Sequence, residues 1–207
     1  MKMKKIILAI VTVFAVAVAP SAKAQFRYGP IAGVSLTNLK FKQDIVPVKQ
    51  TVGFSGGIAA EMMFPGIGFG IDLGLIFEER GAKVDLGNKL MWSSQGYGNE
   101  HVALHYLALP IHLRFKYTNL NGFEDILAPL VFAGPTFGIH VANSRIKALE
   151  YSGGDLGIEF GIGAQILTKW QVTASYNMGM TYVTKAKILT NYSARSNEWN
   201  LRVAYLF

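Results

Sequence analysis

The chain has 207 residues, 51% of them hydrophobic and 12% aromatic, with 22 glycines, no cysteine and a formal charge of +7. That length suits a single domain, and the missing cysteine excludes both a disulfide framework and a lipoprotein anchor. Four lysines and no acid fall in the first 24 residues, so the remainder carries only +3, weak ground for a nucleic-acid or acidic partner.

Residues 1–24 read as a cleaved secretory signal peptide. Lys2, Lys4 and Lys5 give a positive start, residues 6–19 are apolar, and Ala22-Lys23-Ala24 is a small-x-small cleavage site. The apolar run falls short of the roughly 20 residues of a spanning helix. The mature domain is expected to cover residues 25–207.

Strands are predicted from there on. The first is 26–41, irregular near Gly29-Pro30. The second is 51–64, with Val52, Phe54, Ile58, Ala60 and Met62 on one face. After a tight turn at Pro65-Gly66-Ile67, the third covers 68–83, where Phe69, Ile71, Leu73, Leu75 and Phe77 alternate with Gly70, Asp72, Gly74 and Glu78. The fourth, 102–117, sets Leu107, Leu109, Ile111, Leu113 and Phe115 against Ala108, Pro110, His112, Arg114 and Lys116. The fifth is 129–141, the sixth 154–167 and the seventh 170–184. In the eighth, 197–207, Trp199, Leu201, Val203, Tyr205 and Phe207 alternate with Glu198, Asn200, Arg202 and Ala204. Period-two alternation is the mark of a strand with one apolar face. Pro110 and Pro135 cannot donate to a ladder, so a bulge or local irregularity is expected at each.

Segments 42–50, 85–101, 143–153 and 185–196 are long connections, whereas 65–67 and 168–169 are very short. The exception is 118–128, a long turn with Asn121-Gly122 as its turn signal. Long loops on one rim and short turns on the other is the pattern of transmembrane barrels, with the loops outside and the termini in the periplasm. The polar faces support that reading over a soluble barrel. They hold Gly, Ala and Ser with sparse charge, as a crowded interior needs, rather than the Lys, Glu and Thr of a wetted surface. Aromatics including Phe26, Tyr28, Trp170, Trp199 and Tyr205 lie near predicted strand ends, as interfacial girdles require. Closing the chain on an aromatic, Phe207 resembles the assembly signal of outer-membrane barrels.

Tyr106-Leu107-Ala108-Leu109-Pro110 resembles the Tyr-Leu-x-Leu-Pro strand of the PorT-like outer-membrane β-barrel family. Pro129-Leu130-Val131-Phe132-Ala133-Gly134-Pro135 resembles that family's next strand, and Asp155-Leu156-Gly157 with Phe160-Gly161-Ile162-Gly163 the one after. The resemblance covers essentially the whole mature chain and implies an eight-stranded outer-membrane barrel. Some of its members take part in protein secretion, and it brings no catalytic residues.

Alternation points Glu61, Asp72, Glu159 and Glu198 into the lumen together with Arg114, Lys116 and Arg202, and less regularly Arg27. Opposite charges in so narrow a space must pair, because an unpaired buried charge costs several kcal/mol. An ion-pair plug is therefore the first reading and a gated ion path the second. Glu100, His101 and His105 lie where a loop runs into a strand, so the two imidazoles do not converge on a metal. A lipid-modifying enzyme would have to use His140 and Ser144 with Glu150, but four strand residues separate the first two by about 13 Å. Trp92, Tyr97, Lys187, Tyr192 and Arg195 are candidate loop contacts for a partner protein or lipopolysaccharide phosphates; packing on the barrel mouth is the other reading.

The expectation is thus an all-β chain, an eight-stranded antiparallel up-and-down transmembrane barrel in the outer membrane. It would be a non-enzymatic scaffold or partner-binding component linked to protein secretion. A lipid-modifying enzyme and a passive narrow solute conduit are the alternatives. Expected partners are outer-membrane lipid and lipopolysaccharide, the barrel-assembly machinery and secretion-system proteins, with no nucleic acid, cofactor or metal.

Overall fold

The computed structural model describes residues 25–41, 48–64, 68–85, 99–117, 122–143, 149–186 and 193–207. In chain order the strands are β1 (Gln25–Phe41), β2 (Val48–Met63), β3 (Phe69–Asp85), β4 (Asn99–Lys116), β5 (Leu127–Asn143), β6 (Leu149–Tyr151), β7 (Gly154–Ile166), β8 (Trp170–Gly179), β9 (Thr184–Ala186) and β10 (Ser193–Tyr205). Eight of them form the wall, paired antiparallel in the order β1-β2-β3-β4-β5-β7-β8-β10. β10 closes on β1, from Ile31 opposite Ala204 to Phe41 opposite Ala194. Closure leaves no unpaired strand edge in the wall, the condition for crossing hydrocarbon with strands.

Strand existence follows the alternation, and strand ends do not. The predicted seventh strand stops at Gly179, where the amides of Met180 and Thr181 both donate to Leu156 O, at 2.8 and 3.3 Å. It resumes as β9, which pairs with β6 and with Ser193 and Ala194 of β10. The eighth strand therefore begins four residues before the expected 197, inside the predicted loop. The long turn 118–128 carries one turn of 3-10 helix, Phe123–Asp125, entered through Gly122 at φ 92°.

Neither proline bulges its strand. The β4–β5 register is the same at Pro110–Thr136 and at Leu113–Ala133, with only the pairs between them missing. Pro110 points inward, and its ring is accommodated opposite Gly74, where a Cβ would lie 2.9 Å from it. Pro135 faces outward and is exposed. A missing N–H thus interrupts the ladder without moving the register. The register shifts fall nearer the loop end, between Gln50 and Ser55 and between His105 and Tyr106.

The exterior is apolar around the whole wall. Phe54, Ile58, Leu113, Ile162 and Leu201 are all exposed, Ile162 at 65%. Among the outward rings, Trp170, Tyr205, Phe207 and Tyr28 join in edge and tilted contacts at the turn end. Trp199, expected near a strand end, lies six residues into β10 against Tyr176, with centroids 4.8 Å apart. Such an apolar surface is stable only in lipid. Ile162→Arg, in the middle of β7, is expected to cost about 2–4 kcal/mol in lipid vesicles, against about 0–1 for Ile126→Arg at the turn end. Urea unfolding of vesicle-folded protein measures both, and equal costs would argue against immersion in a bilayer.

Candidate functional site

The lumen is built in layers. At the turn end Met63, Leu130 and Leu206 are buried, and at the loop end Leu39, Leu104 and Val183 are. Charged and polar side chains fill the space between these apolar caps.

The turn-side layer centres on Glu61, 1% exposed. Register sets Arg27 of β1, Glu61 of β2 and Asp72 of β3 in one row, so the two acids face each other directly. Arg114 relieves that opposition by bridging them: it contacts Glu61 and lies 2.7 Å from Asp72 Oδ2. Glu61 Oε1 also accepts from Arg27 Nη2 at 2.5 Å and from Lys116 Nζ at 2.7 Å. Gln165 Oε1 accepts from the same two cations, at 2.6 and 2.7 Å, while its Nε2 donates to Thr168 O.

The loop-side layer is a chain of alternating charge. Arg80 donates to Glu78 Oε2 from Nε and Nη2, at 3.1 and 2.7 Å, and to Asp155 Oδ2 from Nη1 at 2.8 Å. Its Nε lies 3.0 Å from Glu198 Oε1, and its guanidinium stands 4.8 Å above the Tyr106 ring. Arg202 joins Glu78 to Glu159, at 2.7 and 2.5 Å. Ser175 donates to Glu159 at 2.6 Å and Asn177 to Glu198 at 2.9 Å, with Thr136 between Glu159 and His112. Each charged group meets an opposite charge at hydrogen-bond distance, the arrangement a low-dielectric interior demands.

Between the layers is a cavity of about 50 Å³, whose polar lining includes Asp72, His112, Arg114, Gln171, Thr173 and Arg202. One water needs about 10–15 Å³ of such space, so the cavity suits a few waters and nothing larger.

The structure brings Glu61, Asp72, Arg114 and Lys116 together in one layer, and Glu159, Glu198 and Arg202 together in the other. It adds Glu78, Arg80 and Asp155, absent from the predicted set. Glu78 and Arg80 continue the inward alternation of Asp72 and Gly74, but apolar Ile76 interrupts the polar run. Asp155 is the second residue of β7, opposite Gly138. Arg195 was expected in a loop. It is a β10 residue instead, opposite Lys40, with its guanidinium carbon 4.9 Å over the Tyr182 ring. Trp92, Tyr97, Lys187 and Tyr192 lie outside the described residues, as do Ser144 and residues 1–24. His140 packs its ring 5.2 Å from that of Tyr106, on the inner face of β5. His105 stacks outward on Phe77 at 5.7 Å. Phe207 is outward and exposed, and its amide donates to Tyr28 O at 2.9 Å.

A closed eight-stranded wall, apolar outside and charged within, agrees with a sequence comparison. Residues 6–207 match the family model described as "Outer membrane protein beta-barrel domain". The chain belongs to that outer-membrane β-barrel family. Comparison with curated protein sequences gives no match. Among solved structures this outer-membrane barrel is similar to OprG from Pseudomonas aeruginosa, at TM-score 0.51 and 12% identity, covering 89% of this chain and 95% of that one. Similarity to Neisserial surface protein A is of the same order, at TM-score 0.50 and 14% identity, covering 89% and 99%. The attachment invasion locus protein Ail of Yersinia pestis, in complex with the heparin analogue sucrose octasulfate, matches at TM-score 0.46 and 15% identity, covering 88% and 99%. Identities this low carry the fold alone.

Proposed function

We propose that this outer-membrane barrel is a non-enzymatic scaffold that turns its loop end outward, binds partners there, and serves protein secretion as its PorT-like resemblance implies. The filled lumen carries the reading. Among the described residues, the cavity between two ion-pair layers and two apolar caps suits a few waters and is too small for a sugar, a peptide or a lipid chain. What remains to act is the rim at the end where the sequence places its long connections.

Quantitative mass spectrometry of secreted and surface proteins, deletion strain against parent, tests the secretion role. A class of cargo lost outside and accumulated in the periplasm is the expected outcome. Unchanged secretion would reduce the PorT-like resemblance to fold. A second reading, a narrow ion conduit, rests on the polar cavity between the layers. Planar-bilayer recordings decide it: a quiet membrane is expected from the scaffold, and unitary current steps would favour the conduit.

A further inference from the structure

On the outer wall, the loop end of one side carries a row of cations on adjacent strands. Lys40 of β1 stands directly opposite Arg195 of β10, and Lys49 of β2 directly opposite Lys83 of β3. All four are exposed. β1 and β2 are neighbours paired as far as Thr37 opposite Thr51, three residues before Lys40 and two after Lys49, so the two cation pairs lie side by side. Adjacent strands are about 4.8 Å apart, and like charges facing each other across a ladder destabilise it. Two such pairs together call for an anion. Among the described residues none of the four makes an ion pair; Arg195 has only the Tyr182 ring. The loop-end segments of β1, β2 and β10 contain no outward acid, and β3 has Glu79 and Asp85 four residues before and two after Lys83. On the other side of β10, where β9 pairs with it, the register sets Glu150 opposite Lys185.

Position identifies the anion. Directly below the row, toward the barrel's middle, the same strands turn Val34 and Leu36, Val52 and Phe54, Phe77, and Trp199 and Leu201 outward. The cations therefore stand where an apolar band ends and headgroups begin, and basic side chains at that depth attract anionic lipid heads. We infer that Lys40, Lys49, Lys83 and Arg195 form a binding row for the phosphates of an outer-leaflet glycolipid of the lipid A type. The inference rests on the proposed outward orientation of the loop end and gives that rim a lipid ligand.

The test uses the full mature chain folded in detergent, with native mass spectrometry as readout. Bisphosphorylated lipid A and the same lipid without its phosphates are the probes. The wild type is expected to retain bisphosphorylated lipid A roughly tenfold or more better than the variant K40S/K49S/K83S/R195S, and to show little preference for the dephosphorylated lipid. Heat-modified gel mobility verifies that the variant is folded, and Lys169→Ser, exposed at the turn end far from the row, is expected to bind like wild type. Equal retention by wild type and the quadruple variant would overturn the row, as would equal binding of dephosphorylated lipid. Full displacement by a soluble heparin fragment at equal concentration would assign the row to sulfated polysaccharide and overturn the lipid. Orientation is tested separately, by labelling Ser93→Cys in intact cells with an impermeant maleimide. Labelling only after the outer membrane is permeabilised would overturn the orientation, and with it the outer-leaflet assignment, whatever the binding shows.

Discussion

Replacing Glu61 with alanine is expected to cost about 3–5 kcal/mol of folding stability, because it strands cations rather than removing one contact. Arg27, Arg114 and Lys116 converge on this single buried carboxylate. Without it, Asp72 offers one carboxylate to Arg114, and Gln165 offers one neutral oxygen to Arg27 and Lys116. Glu61→Gln keeps an acceptor while losing the charge, so its cost should be smaller. The double variant Glu61→Ala/Lys116→Met removes one stranded cation with its anion and should recover part of the loss, a coupling that a double-mutant cycle isolates. Urea unfolding in lipid vesicles, followed by gel mobility, gives these values and that of Lys116→Met alone, which closes the cycle. A loss below about 1 kcal/mol for Glu61→Ala would mean that the layer is wet enough to screen its charges, as exposed pairs are. The plug would then be no barrier to ions.

The wall was legible in the sequence for a simple physical reason: one lipid face and one luminal face impose period two, and a slip of one residue would exchange them. Leu107 to Phe115 and Trp199 to Phe207 show it most plainly. The same parity aims Glu61, Asp72, Arg114 and Arg202 inward. What parity does not contain is partnership. Arg202 and Glu78 are 124 residues apart and meet only because the barrel closes and its interior is narrow. Arg80 was lost for a different reason: the alternation was followed only as far as Glu78, with apolar Ile76 breaking the inward polar row, and Arg80 is the next inward position. Strand ends were the weakest part. Ser193 to Ser196 read as loop, since short polar residues suit turns as well as a crowded interior, and Arg195 was misplaced with them. The prolines were read in part: the β4–β5 ladder is irregular between them, but without a bulge. A ladder gap and a glycine opposite Pro110 absorb them, and no bulge is needed.

Arg80→Met is expected to be as damaging as Glu61→Ala, and the companion Arg80→Lys shows why. The guanidinium of Arg80 addresses three carboxylates from three strands: Glu78 beside it on β3, Asp155 on β7 and Glu198 on β10. Methionine fills similar volume but leaves Asp155 and Glu198 without a cation, and Glu78 with Arg202 alone. The loop-side layer already holds four acids, Glu78, Asp155, Glu159 and Glu198, against the two arginines. Removing one arginine therefore adds to an existing excess, and a cost of about 3–5 kcal/mol follows. Arg80→Lys restores the charge without the planar fork, so it separates electrostatics from geometry. If net charge is what the layer needs, lysine should recover most of the stability. If the fork is needed to reach three directions at once, lysine should recover less than half. The second outcome is expected, because an ammonium group is a point charge and these acceptors approach Nε, Nη1 and Nη2 separately. Adding Glu198→Gln to Arg80→Met removes one of the stranded acids while preserving an acceptor for Asn177, and should restore part of the loss. No gain from that second substitution would mean that Glu198 is already satisfied by water, and the loop-side layer would then be a hydrated mouth rather than part of the plug.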